Sequence, residues 1–258
     1  MKRTVQDALG RSVTYSYPPK RIISLCPGIT DTLFALDLKK EIVGRTRYCI
    51  YPTNGVKGVP TVAGTKDLKL QAIVQAAPDL IILEKEENTK EMMEELEQHF
   101  AVYVAEVQTV DEAYEMIEDL GDVTDRKIEA QSLVTDIQAG FNSLVGLTSG
   151  SAMYVIWKKP YMGVGRTTYI DSLLNKLGFS NAISDLPGRY PELTPHTIQQ
   201  ANPDLVLLAS EPYPFKEKHI AEFEVLLPNA SIQLIDGEKF WYGPRMLEAT
   251  SYFKKWFS

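Results

Sequence analysis

No stretch of this 258-residue chain approaches the roughly 18 consecutive apolar residues that a membrane-spanning helix needs. Cysteine is scarce: with Cys26 and Cys49 alone, a disulfide, a free pair and two buried thiols all stay open. Histidine is scarcer than a metal site would want. His99, His196 and His219 all fall on predicted helices, and a zinc or manganese centre needs several imidazole or carboxylate ligands converging, so no resident metal is expected. There is no excess of basic residues either: 27 Lys and Arg against 34 Asp and Glu leave a net charge of −7, which argues against nucleic acid or an anionic membrane as the main partner. The opening MKRTVQDALGR has basic residues but no apolar run after them, so it does not read as a signal peptide. No low-complexity tract occurs, and no Gly-rich phosphate turn follows the first predicted strand, where Leu25-Cys26-Pro27-Gly28 stands instead.

What is present is an alternation of short apolar strands and amphipathic helices. Residues 3 to 20 predict a hairpin turning at Leu9-Gly10 and stopping at a Pro-Pro pair. Strands at 21–25, 42–44, 78–83 and 102–104 alternate with helices at 30–36, 70–77, 89–99 and 110–120, and residues 45–61 read as irregular. Strand 78–83 is apolar on both faces, the signature of a parallel strand covered by helices. In the stretch 124–147, Leu133, Val134, Ile137, Phe141, Leu144 and Val145 recur at helical spacing, with Thr124 and Asp125 as N-cap and first-turn acid. This predicts one long helix between two α/β halves: residues 1–122, a linker helix within 123–148, and residues 149–258. The second half repeats the alternation, with strands at 152–157, 204–208 and 232–235 and helices at 169–177, 196–201, 216–226 and 246–257.

One segment repeats in letters. LQAIVQAAPDLIIL (70–83) and PHTIQQANPDLVLL (195–208) share Ile, Gln, Ala, Pro, Asp and Leu at an offset of 125, and the same offset sets Glu86 on Glu211. The two halves read as one duplicated unit. Parallel sheets bind ligands at the carboxyl ends of their strands, so the chemistry is expected in the loops at 26–30, 45–51, 63–66 and 84–88, and at 157–166, 186–190, 209–215 and 236–245. Those loops hold Tyr48, Tyr51, Trp157, Tyr161, Tyr190, Tyr213, Phe215, Trp241 and Tyr242, with Arg47, Lys66, Arg166, Arg189 and Arg245. Aromatic faces with polar tips suit a bulky, partly planar ligand, and arginines hold carboxylates or phosphates by paired hydrogen bonds. Two lobes facing each other would set these loops across one cleft.

Taken together, GRSVTYSYPPKRIISLCPGITDTLFAL, GVPTVAGTKDLKLQAIVQAAPDLIIL, the long helix and WYGPRMLEATSYF resemble the iron-siderophore/vitamin B12 substrate-binding proteins of ABC transporters, the helical-backbone metal receptors or class III periplasmic binding proteins. The resemblance covers about Gly10 to Phe253 and is closest to the cobalamin-binding branch and its relatives without a signal, through YVIWKKPYMGVG and SEPYPFKEKHI. It implies an α/β fold of two Rossmann-like lobes joined by a single long α-helix, and a binding role with no catalytic residues and no required cofactor. The implied ligand is a corrinoid such as cobalamin, with a ferric siderophore or haem as alternatives, bound between the lobes and handed to a membrane permease. Ligand contacts are then expected from Tyr48, Tyr51, Lys66, Trp157, Tyr161, Arg166, Arg189, Tyr190, Glu211, Tyr213, Trp241, Tyr242 and Arg245.

Two positions depart from the family pattern. Members that deliver to a permease carry a glutamate on the helix before each Pro-Asp strand. Gln71 and His196 stand there in this chain, with Asp67 and Glu192 nearby. The resemblance implies a periplasmic monomer, and the opening residues leave a cytoplasmic, permease-independent binding protein open as the other reading. A two-lobed α/β enzyme is the competing class. Gly163-Val164-Gly165 lacks the third glycine of a dinucleotide turn, and Ser24 and Cys26 have no histidine in a matching loop to act as base.

Overall fold

The computed structural model describes residues 1–64, 66–146 and 148–257. Thr65, in the predicted 63–66 loop, and Leu147, at the predicted end of the long helix, lie outside the described residues. The chain divides into two compact units. The first comprises Met1–Val107 and Glu112–Asp136, the second Gln108–Asp111 and everything from Ile137 onward.

The first unit opens on the predicted hairpin, β1 (Lys2–Gln6) and β2 (Ser12–Ser16), paired antiparallel. Gly10 takes the left-handed φ of 71° that the turn requires. The Asp7 carboxylate organises the turn by accepting the backbone N–H groups of Leu9 and Arg11, each at 3.0 Å, and the Arg11 guanidinium. There follow β3 (Ile22–Ser24), α1 (Pro27–Ala35), β4 (Ile42–Thr46), β5 (Thr61–Ala63), α2 (Leu70–Ala76), β6 (Leu80–Glu84), α3 (Lys90–Glu97), β7 (Val102–Ala105) and α4 (Val110–Thr124). The five later strands form one parallel sheet in the order β5-β4-β3-β6-β7. Every residue of β6 is buried, as expected of a parallel strand covered on both faces. Strand β5 is a correction to the irregular reading of 45–61 and the loop after it. At three residues it is too short to show a period.

The helix after α4 does not begin at Thr124. Asp125 adopts a left-handed φ of 64°, and the Arg126 N–H donates to the Gly121 carbonyl at 2.7 Å. This is a Schellman-type C-cap, which satisfies end carbonyls of α4. The Thr124 hydroxyl donates to the Leu120 carbonyl at 2.6 Å. Thr124 and Asp125 therefore close one helix rather than cap the next, and α5 runs over Lys127–Asn142, not 124–147. Helix α5 carries the chain from the first unit into the second.

The second unit contains β8 (Ser151–Trp157), β9 (Tyr161–Gly163), α6 (Tyr169–Lys176), β10 (Ser180–Asn181), β11 (Glu192–Leu193), α7 (Pro195–Ala201), β12 (Leu205–Ala209), α8 (Glu217–Leu226), β13 (Ser231–Ile235) and α9 (Arg245–Phe257). Its sheet runs β11-β9-β8-β12-β13, with β10 also pairing β8. Strands β8, β10, β12 and β13 are parallel, whereas β9 and β11 add antiparallel pairs. The sheet is thus mixed rather than purely parallel; β9, β10 and β11 are two or three residues long and leave no periodic signal. Its core gathers Met153, Val155, Ile198, Val206, Leu208 and Phe223. Each large apolar side chain buried in this way contributes about 1.5–3 kcal/mol relative to exposure.

The duplication seen in letters holds in the fold. Helices α2 and α7, and strands β6 and β12, begin and end at the same offset of 125. The residue after each helix, Ala77 or Asn202, turns left-handed at φ 44° or 39°. The Pro-Asp aspartate then does the same work twice. Asp79 accepts the backbone N–H groups of Lys20 and Arg21 at 2.8 and 3.0 Å, at the entry to β3. Asp204 accepts the Ser151 N–H at 2.7 Å, at the start of β8. Each carboxylate caps the first N–H groups of the neighbouring parallel strand, the physical reason for an aspartate at that joint.

Candidate functional site

In a doubly wound sheet the ligand-binding crevice lies at the carboxyl ends of the two strands where the order reverses. In the second unit these are β8 and β12. Trp157, the last residue of β8, is 41% exposed, and its ring meets Tyr213, from the loop after β12, edge to face at 5.8 Å. The Tyr213 N–H donates to the Ile156 carbonyl at 3.3 Å, fastening that loop to the end of β8. Two residues earlier, the Glu211 carboxylate accepts the indole N–H of Trp241. A side chain on Gly237 would lie 2.7 Å from Glu211 Cγ, so this close approach needs a glycine. Loop 210–216 thus gathers Trp157, Glu211, Tyr213 and Trp241, four of the predicted residues.

The remaining predicted residues of this unit group less tightly. Tyr242 meets the buried Tyr169 ring at 5.5 Å. Arg245, its side chain 12% exposed, is ion-paired to Glu248 at 2.7 Å. The Gly165 N–H donates to the Arg189 carbonyl at 2.8 Å, so Arg166, Arg189 and the exposed Tyr190 share two adjoining backbone segments. Tyr161 faces inward: its ring packs on Phe223 at 5.0 Å and its hydroxyl donates to Glu222, which raises the phenol's pKa together with burial, the larger cause. Glu222 is held below the usual carboxylate range by hydrogen bonds from Lys158 and Tyr161.

In the first unit the strand order reverses between β3 and β6. That crevice is occupied by the protein's own polar groups. Asn88 accepts the Glu84 N–H at 2.9 Å and donates to the Leu25 carbonyl at 3.0 Å. Glu84, 2% exposed, accepts the N–H groups of Glu86 and Glu87 at 2.8 and 2.9 Å. The predicted residues of this unit lie in the loops after β4 and β5. Tyr48 is 48% exposed, with the Arg47 guanidinium 4.9 Å over its ring and bonded at 3.4 Å to Asp67. Lys66 donates to the Glu86 carbonyl at 2.8 Å, and Tyr51 is half-buried. The thiols of Cys26 and Cys49 are buried and unbridged. Cys49 Sγ lies 3.0 Å from the Thr30 hydroxyl, and burial pushes that thiol's pKa up.

Sequence reasoning missed three groups. Glu84 and Asn88 could have been found as polar residues closing a wholly apolar strand. His219, read from the sequence as a helical residue, is 2% exposed. Its Nδ1 accepts the Lys216 N–H at 2.8 Å, and its position three residues after Lys216 is that of a reciprocal N-terminal cap. His99 and His196 are exposed, His99 in the turn after α3 rather than on it.

Two α/β units built on one duplicated motif and connected through a helix define the two-lobed Rossmann-like class of binding proteins. A family model described as periplasmic binding protein matches residues 22–225, and the chain belongs to that family. It is 26% identical over 216 residues to an uncharacterized ABC transporter substrate-binding lipoprotein of Bacillus subtilis, covering 79% of this chain and 68% of the relative. The fold superposes on the periplasmic vitamin B12 binding protein of Vibrio cholerae with a TM-score of 0.78 at 21% identity, over 93% of this chain and 97% of the other. It superposes on a petrobactin-binding protein of Bacillus subtilis with a TM-score of 0.84 at 14% identity, over 100% and 99%. All three are binding proteins by name. Among the described residues no helix is long and apolar enough to cross a membrane.

Proposed function

We propose that this protein captures a bulky metal-containing cofactor, a corrinoid first of all, on the strand-end loops of its two units and presents it to an ABC-transporter permease. The observation that carries this reading is the Trp157–Tyr213 pair at the point where the second sheet reverses its order, with Trp157 exposed there. An exposed aromatic face at a strand-end crevice is costly unless a ligand covers it. The vitamin B12 binding protein of similar fold supports the corrinoid, and the lipoprotein relative supports a transporter role on the outer side of the membrane. The lobes we propose are residues 1–122 and 149–258, with the linking helix inside 123–148. The protein acts as a monomer.

In this reading Trp157, Tyr213, Trp241 and Tyr242 stack on the macrocycle from the second unit, and Tyr48 does so from the first. Tyr51, Lys66, Tyr161, Arg166, Arg189, Tyr190, Glu211 and Arg245 complete the polar and aromatic boundary. Gln71 and His196, both exposed, occupy the permease-docking positions on α2 and α7. The test is titration calorimetry with cyanocobalamin, supported by visible spectra after adding hydroxocobalamin, haemin or a ferric hydroxamate. Saturable heat with cyanocobalamin supports the corrinoid. Silence with cyanocobalamin and a spectral change with haemin or the ferric hydroxamate would move the assignment to that ligand.

A further inference from the structure

The loop that carries Glu211 and Tyr213 ends at Lys216, where α8 begins, and a buried imidazole closes that corner. His219 Nδ1 accepts the Lys216 N–H at 2.8 Å, while the His219 N–H donates to the Lys216 carbonyl, also at 2.8 Å. The imidazole meets Tyr213 and Phe215 edge to face, at centroid distances of 5.6 and 5.4 Å. Tyr213 in turn braces Trp157. A ring nitrogen that accepts a hydrogen bond carries no proton, so this arrangement requires the neutral imidazole with its proton on Nε2.

Four ionisable groups bear on the ring: Lys158 from the turn after β8, Tyr213 from the loop, and Lys218 and Glu222 on its own helix. Burial and the Lys158 cation press its pKa below the ordinary histidine value, whereas Glu222 acts the other way while held by Lys158 and Tyr161. Protonation would set an Nδ1–H against the Lys216 N–H, two donors facing each other, and would bury a cation beside Lys158.

We propose that His219 is a positioning residue that doubles as a proton switch: neutral, it locks loop 211–216 and with it the Tyr213–Trp157 wall, and protonated, it releases both. The effect on ligand affinity rests on the function proposed above; the lock itself does not. A lost neutral hydrogen bond corresponds to about a threefold to tenfold loss of affinity.

The experiment reads the lock without ligand first. Trp241→Phe with Trp256→Phe leaves Trp157 as the only tryptophan, and its emission is followed from pH 8 to pH 4.5. The expected result is a single transition below the ordinary histidine pKa of about 6.5. His219→Gln keeps an acceptor for the Lys216 N–H and cannot titrate, so its emission should stay in the neutral-pH form throughout. His219→Phe keeps a ring and loses the acceptor, so it should show the low-pH form throughout; should it fail to fold, His219→Gln decides alone. Cyanocobalamin affinity should fall on acidification in the otherwise unmodified protein and stay flat in His219→Gln. An unchanged Trp157 signal, or the same transition in His219→Gln, overturns the proposal. The expected emission pattern with no cyanocobalamin binding at any pH upholds the switch and removes the corrinoid reading instead.

Discussion

Replacing Glu84 by glutamine should make the variant gain stability relative to the parent as pH rises. Glu84 ends β6 with 2% of its surface exposed, and its carboxylate accepts the N–H groups of Glu86, Glu87 and Val107 at 2.8, 2.9 and 3.3 Å. Burial outweighs the backbone bonds from Glu86 and Glu87 and, with the nearby Glu86 and Glu87 charges, lifts the pKa from 4.5 to about 7. Between those values the folded chain holds a proton that the unfolded chain has given up, so stability falls as pH rises through that window. At about 1.4 kcal/mol per pH unit, a displacement of that size corresponds to about 3 kcal/mol, a ceiling on the effect. Glutamine keeps an oxygen for Glu86 and Glu87 but turns its amide nitrogen toward the Val107 N–H. That mismatch costs about 1–3 kcal/mol at every pH, so it shifts the curve without changing its slope. Urea unfolding of both proteins at pH 5, 6, 7 and 8 gives the difference directly. The variant should gain on the parent across this range by up to about 3 kcal/mol. A difference that stays flat from pH 5 to 8 would mean that Glu84 is ionised throughout, and would refute the reasoning.

Three further perturbations follow from the same geometry. Hydrogen bonds from Ser151 hold the Asp204 carboxyl below its ordinary range, so this support for β8 is complete above pH 3.8 and is lost as pH falls through the lowered value. Asp204→Ala should therefore speed hydrogen exchange at the Ser151 amide and leave β6 unchanged. A side chain on Gly121 would collide with Ala130 Cβ and lie 2.9 Å from the Arg126 carbonyl, so Gly121→Val should cost about 1–3 kcal/mol and lower the melting temperature by several degrees. Gln71→Glu with His196→Glu should raise affinity for a cobalamin-type permease at low salt, in a salt-sensitive way. Equally tight, salt-sensitive docking by the unmodified protein would assign the role to other acids, Asp67 and Glu192 first.

The parts of the fold legible in sequence are those whose burial imposes a period. Strands β6 and β12 are buried at every residue and read plainly as apolar runs, and the Pro-Asp joints announced them twice. The boundary at Thr124–Asp125 was misread because threonine and aspartate serve both ends of helices. Only the positive φ of Asp125 and the Gly121 carbonyl tell which end is meant. Short strands such as β9 and β11 left no trace, since two or three residues cannot alternate. At the candidate site, residue type and loop position single out Trp157, Tyr213, Glu211 and Trp241, whose side chains meet in two pairs on one loop. They could not find His219, because whether a helical histidine faces water or the core depends on which side of α8 meets the loop.

The duplicated unit also shows where the two halves were free to part. At the amino ends of β6 and β12 the two copies match down to the left-handed residue and the capping aspartate. Five residues on, at the carboxyl ends, the copies part, although Glu86 and Glu211 still correspond. Glu84 faces Ala209 in the repeat, and the loop after β6 folds back on its own carboxylate while the loop after β12 takes up Trp241 and Trp157. The amino ends must satisfy the first N–H groups of a neighbouring strand, a demand of the backbone that admits few solutions. The carboxyl-end loops carry no such demand, so one copy can fill its crevice with a buried glutamate while the other lines its own with aromatic rings. The asymmetry lies in the strand-end loops alone: exposed and half-buried aromatic rings in the second unit, a buried carboxylate in the first.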